Sequence, residues 1–126
     1  MKRFFLLLLL AGVAQTGSAT EPVSRSWDFR VYLDDAAIGR HRFTLSGTAA
    51  ARELQSEANF EVKLLFFTAY RYVHHATEKW RGDCLASLES RTDDNGTPLK
   101  VSLGPEALPG CVMSFAYWNP QMLRQS

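Results

Sequence analysis

The chain has 126 residues, 46% of them hydrophobic, 21% charged and 12% aromatic, and a formal net charge of +1. That length suits a single domain, and the hydrophobic share is too high for an intrinsically disordered chain. Such an even charge balance also leaves no clustered Lys and Arg of the kind that nucleic-acid binding requires.

Met1-Lys2-Arg3 opens the chain with positive charge, and Phe4 to Ala14 is an unbroken apolar run of eleven residues. Small and polar residues come next, with Gly17-Ser18-Ala19 as a small-x-small cleavage site before Thr20. This tripartite pattern predicts a secretory signal peptide over residues 1–19 and an exported domain over residues 20–126. At about 1.5 Å per residue the run reaches roughly half of a ~30 Å hydrocarbon core, so no transmembrane span is expected once it is removed. Leu9-Leu10-Ala11-Gly12 has the look of a bacterial lipoprotein signal, but Val13 stands where the lipid-bearing Cys belongs. The expected product is therefore soluble and not lipidated. Loss of Lys2 and Arg3 takes two of the 14 basic groups, leaving 12 against 13 acidic ones and a net charge of −1.

From Trp27 onward period-two alternation dominates the chain, as in strands with one buried face. Trp27, Phe29, Val31 and Leu33 alternate with Asp28, Arg30, Tyr32 and Asp34, and Asp34-Asp35-Ala36-Ala37 predicts a turn because short carboxylates bond the local backbone. A second strand runs from Ile38 to Leu45, with His41, Phe43 and Leu45 on one side, and Gly47 ends it. The third is the clearest: Leu54, Ser56, Ala58, Phe60, Val62 and Leu64 face one way, and Glu53, Gln55, Glu57, Asn59, Glu61 and Lys63 the other. At about 3.3 Å per residue it would run roughly 40 Å, a length that favours a curved sheet or barrel wall.

After Leu64 the alternation fails, and residues 65–70 predict a bend or a segment covered on both faces. Extended structure is expected again over Tyr70–Trp80, then a turn at Arg81-Gly82-Asp83. The next strand, Leu85 to Thr92, has Leu85 and Leu88 out of phase. Asp94-Asn95-Gly96-Thr97 carries the Asn-Gly pair of a two-residue hairpin, returning through Leu99–Leu103. Gly104–Gly110 reads as a loop, Cys111–Trp118 as an extended segment, and Asn119-Pro120 as a helix start that stops after about two turns. About seven strands joined by hairpin-compatible turns predict a mainly β fold, an antiparallel curved sheet forming a barrel or half-barrel. The aborted helix leads to the further expectation that the chain lacks its natural C-terminal part and that the barrel is incomplete.

Chemistry-bearing residues are few. Cys84 and Cys111 form an even pair beside two turns, which in an exported chain predicts a disulfide over two buried thiols, and no C-x-x-C suggests a redox enzyme. His74 and His75 are adjacent in a strand and so point to opposite faces, which makes solvated or hydrogen-bonded strand histidines the expectation and metal ligation, with His41 as third ligand, the weaker reading. No nucleophile elbow, phosphate loop or dinucleotide fingerprint is present, so no catalytic residue, metal or cofactor is assigned.

The run Phe115-Ala116-Tyr117-Trp118-Asn119-Pro120, together with Trp27-Asp28-Phe29, Ile38-Gly39, Cys84-Leu85 and Asp94-Asn95-Gly96, resembles an uncharacterised family of exported bacterial proteins with an F-A-Y-W-N-P signature. The resemblance implies a Gram-negative periplasmic setting and a chain that continues into further strands. It carries no activity and no catalytic residues.

The aromatic residues are the remaining asset. Phe66, Phe67, Tyr70 and Trp80, with Phe115, Tyr117 and Trp118 near the mouth, are the expected lining of a cavity for an acyl or isoprenoid chain. The alternatives are an envelope module whose Tyr117 and Trp118 anchor a partner protein, and an envelope-acting hydrolase in which His41, His74 and Glu78 converge in a cleft.

Overall fold

The computed structural model describes residues 21–113. Six strands succeed one another: β1 (Val23–Leu33), β2 (Ala36–Gly47), β3 (Ala51–Leu64), β4 (Phe67–Arg81), β5 (Cys84–Asp94) and β6 (Thr97–Leu103), then a short 3-10 turn, Pro105–Ala107. Each strand pairs antiparallel with its sequence neighbour, so spatial order equals chain order. Among the described residues no pairing joins β6 to β1, and the sheet is open. The mainly β, antiparallel architecture read from the alternation is thus present.

The turns arise from local chemistry. Asn95 (φ 51°) and Gly96 (φ 89°) both take the left-handed conformation that a type I′ hairpin turn demands. The Asp93 carboxylate accepts the Gly96 N–H at 2.7 Å, and the Asn95 N–H donates to the Arg71 carbonyl at 2.7 Å, which ties the turn to β4. Gly39 has a different reason to be glycine: a Cβ there would overlap the Asn59 carbonyl of β3, so β2 and β3 approach closely only because the side chain is absent.

Three register shifts put the phase right where the sequence pattern slips. Val31 pairs Gly39 and Tyr32 pairs Ala37, leaving Ile38 as an extra residue; Ala69 is extra where Val62 pairs Tyr70 and Lys63 pairs Thr68. Ala86 is extra where Lys79 pairs Ser87 and Trp80 pairs Leu85. A bulge reverses the side on which later residues point. Leu85 and Leu88, three apart, therefore reach the same face, which explains why they read as out of phase.

Residues 65–70 decide between the two expectations in favour of a bend. Leu65 and Phe66 form a two-residue turn, β4 already begins at Phe67, and the turn is 84% exposed at Leu65 and 94% at Phe66 rather than covered on both faces. Six of the expected strands occur among the described residues, and the seventh, Cys111–Trp118, falls mostly outside them. Cys111–Met113 lies outside regular structure, although the Val112 carbonyl accepts the Leu85 N–H at 2.8 Å, as a neighbouring strand would. The remainder of that extended segment, the helix start and residues 1–19 lie outside the described residues.

Trp80, 1% exposed, is the largest fully buried side chain, packed with Leu85, Leu88 and Leu108. Leu108 comes from the segment after β6, which the Cys84–Cys111 disulfide holds against the start of β5, with Cα atoms 4.9 Å apart across 27 positions of sequence. Closing a loop of that size restricts the unfolded chain by about 3–4 kcal/mol in the chain-entropy treatment. Urea unfolding with and without reductant should differ by about that amount, and a Cys84→Ser/Cys111→Ser variant should match the reduced protein. Equal midpoints would show that the bridge does not brace the Trp80 cluster.

Candidate functional site

Residues paired across an antiparallel ladder share a face, so the register assigns every strand side chain to one of two surfaces. Read from β1 to β6, one row of the first face is Phe29, His41, Ala58, His74, Thr92 and Leu99. The row on one side of it is Trp27, Phe43, Ser56, Ala76, Ser90 and Val101, and on the other Val31, Gly39, Phe60, Tyr72, Asp94 and Thr97. The opposite face is charged, with Asp28, Arg42, Glu57, His75, Arg91 and Lys100 in one row.

The first face carries a continuous band of rings. Phe29 meets Phe43 edge-on with centroids 6.0 Å apart, and Phe43 lies 4.1 Å from His41. His41 reaches Phe60 at 6.3 Å, Phe60 stacks on Tyr72 at 5.5 Å and 11°, and Tyr72 stacks on His74 at 6.1 Å and 17°. The band crosses four strands. Gly39, opposite Phe60, adds no side chain beside that ring. These rings are half-buried, apart from the more exposed Phe29.

Two histidines punctuate the band. They flank the small, buried Ala58, one on β2 and one on β4. His41 Nε2 pairs with the buried Ser56 hydroxyl at 2.8 Å, and His74 Nδ1 with the Thr92 hydroxyl at 2.7 Å. Burial holds both imidazoles below their usual pKa, because an apolar surround disfavours the charged ring. The charge of His74 adds to the effect on His41, and that of His75 to the effect on His74. At the end of the band the Tyr70 hydroxyl donates to Asp94 at 2.6 Å; that bond is the main cause holding its pKa above the usual value.

The charged face is built from exposed pairs. Arg40 donates twice to Asp28 at 3.0 Å, Arg42 donates once at 2.9 Å, and hydrogen bonds first from Arg42 and then Arg40 hold the carboxyl below its usual pKa. His75 faces this side, 3.8 Å from Glu57. Such solvated pairs add little stability and keep the surface wet.

The expected aromatic lining does not come together as one patch. Phe66 and Phe67 sit at the β3–β4 turn and Tyr70 a few residues along β4, whereas Trp80 is buried at the far end of the same strand, about 40 Å away by strand rise. Phe115, Tyr117 and Trp118 lie outside the described residues. His41, His74 and Glu78 do share a face, but Glu78 stands four residues along β4 from His74, and its carboxylate accepts the Trp80 indole N–H at 3.0 Å. Sequence reasoning does not find the ring band as a unit. Phe29, His41, Phe43 and Phe60 stand on the expected inner faces of their strands, but the register that makes them neighbours of Tyr72 and His74 is not written in any one strand.

A family model described as Domain of unknown function (DUF6134) matches residues 29–126. No curated protein and no solved structure matches the chain.

The histidines give the sheet a pH dependence. With both imidazoles held below 6.5 in the fold, the unfolded chain binds more protons as pH falls through that value. Their contribution is complete above about pH 6.5 and is lost progressively below it, so the urea midpoint should fall between about pH 7.5 and about pH 5.5. A His41→Gln/His74→Gln variant should flatten that slope; an unchanged slope would place the titrating groups elsewhere.

Proposed function

We propose that this chain, which belongs to the family described as Domain of unknown function (DUF6134), is an exported periplasmic protein whose apolar sheet face holds an elongated apolar ligand, an acyl or isoprenoid chain. The observation that carries the reading is the ring band from Phe29 through Phe43 and Phe60 to Tyr72, half-buried on one face of a sheet whose other face is wetted by ion pairs. An apolar surface marked by a few placed polar groups is the general form of a small-molecule site. Here His41, His74 and Tyr70 are those groups, set where the polar end of a chain-like ligand would need a partner.

Export rests on the N-terminal pattern, with residues 1–19 as the removed signal and residues 20–126 as the working domain. The Cys84–Cys111 bridge suits an oxidising compartment. Among the described residues no helix is long and apolar enough to cross a membrane. In this reading Phe67 and Tyr70 belong to one end of the lining, and Trp80 is the hydrophobic anchor of the other end. Phe115, Tyr117 and Trp118 stay in the proposed lining on the sequence argument alone.

Native mass spectrometry of protein taken from the periplasm should show a co-purifying lipid. Titration of the delipidated protein with oleate should change the emission of Trp27, which shares the ring face beside Phe43. Phe60→Ala should weaken oleate binding about tenfold, the loss expected from one buried aromatic contact. No bound lipid together with no fluorescence response would overturn the assignment.

A further inference from the structure

The β3–β4 hairpin outruns its neighbours. β2 last pairs with β3 at Gly39–Phe60, and β5 last pairs with β4 at Tyr72–Asp94. Beyond those pairs β3 and β4 form ladder pairs only with each other, from Glu61–Arg71 out to Leu64–Phe67, and past the bonds of Arg71 to Asn95 and of Tyr70 to Asp94 the hairpin stands alone. The projecting tip is Leu64, Leu65, Phe66 and Phe67, four apolar residues in succession with exposures of 57%, 84%, 94% and 49%. Leu65 takes φ 57°, a left-handed conformation suited to Gly or Asn and disfavoured for a bulky branched side chain. The adjacent β1–β2 hairpin ends at the same edge with Tyr32 and Leu33 also exposed, and a cleft of about 770 Å³ separates its turn from Glu61–Lys63. Exposed apolar groups of this extent, gathered at one edge, mark an interaction surface.

We propose that this edge inserts into the surface of a lipid bilayer, with Leu65 and Phe66 entering the acyl boundary. Two features favour a bilayer over a protein groove. The apolar groups occupy the turn ends of two hairpins instead of the face of the sheet, and Leu64, Val62, Phe67 and Tyr70 continue on the same face as Phe60 and Tyr72, so the tip leads straight onto the ring band. The flanking charges are Asp34, Asp35, Glu61 and Asp94 against Lys63 and Arg71, an acidic surround that makes apolar burial and not attraction to anionic lipid the driving force. A bilayer is also the source from which the ligand of the apolar face would be collected, so bilayer insertion rests on the apolar-ligand reading and deepens it.

Flotation with phosphatidylcholine vesicles tests it. The intact protein should bind them with little dependence on salt, and a Phe66→Trp variant should show a blue-shifted emission that brominated lipid quenches. Leu65→Asn/Phe66→Gly installs the pair already present at Asn95-Gly96, so the hairpin should fold, as a thermal melt verifies, while vesicle binding drops at least about tenfold. An uncleaved apolar N-terminus would bind vesicles equally in both proteins, so the difference between them isolates the tip. Equal binding by both, no binding by either, or a tip-dependent self-association without vesicle binding would each overturn the proposal. Oleate titration of the same variant separates the two readings: it stays unchanged if only the tip is at fault and fails for both proteins if the ring band holds no ligand.

Discussion

A single sheet has two faces and can keep only one of them dry, and β3 decides which. Its twelve central positions alternate strictly, and it pairs with β2 on one side and β4 on the other, so its choice of face is imposed on both neighbours. Leu54, Ser56 and Ala58 are buried while Gln55, Glu57 and Asn59 between them are exposed. A slip of one residue in either pairing would turn His41 and Phe43, or Tyr72 and His74, out toward the charged side. The ion pairs of Asp28 with Arg40 and Arg42 contribute little energy, yet a slip between β2 and β3 would turn them onto the ring face, and that cost guards this pairing.

What β3 imposes, the bulges propagate. Each of the three comes close to the end of a strand, at Ile38, Ala69 and Ala86, where the neighbouring pattern has lost phase. The one at Ala86 brings Leu85 beside Trp80 and leaves Leu88 on the same face, and so builds the cluster that Leu108 covers. Burial is uneven as a result. The Trp80 end is dry and stapled by the disulfide, the middle is half-sheltered, and the Phe66 end is open. Stability and exposure thus lie at opposite ends of β4, and the surfaces available for contact lie away from the core that keeps the fold intact.

Much of this is legible in the sequence. The strands of β1 to β3, the Asn95-Gly96 hairpin and the Cys84–Cys111 bridge come from alternation, turn chemistry and cysteine count, each of which acts over a few residues or restricts the answer to one pairing. Two things are not legible. At Leu65-Phe66 the lost alternation allows a bend, but no turn chemistry fixes it, since neither residue favours the left-handed conformation that Leu65 adopts; it is dictated by the strands it joins. The ring band is hidden for the opposite reason. Phe29, Phe43, Phe60 and Tyr72 lie on four strands, and their contact depends on registers that three turns and two bulges set jointly. The aromatic residues that crowd together in sequence, Phe66 and Phe67, are the more conspicuous but stand at the turn and not within the band.

The histidines show how the dry face tolerates polarity. Each sits in the band with its ring against an aromatic neighbour and one nitrogen on a hydroxyl from the adjacent strand, Ser56 for His41 and Thr92 for His74. A neutral imidazole offers one donor and one acceptor, so a single hydroxyl satisfies half of its hydrogen-bonding capacity. Burial that keeps the rings uncharged leaves each with one donor and one acceptor, so that they meet neutral polar groups by hydrogen bonding and not by charge. Placed on either side of the small, buried Ala58, they are the polar groups at the middle of the apolar face.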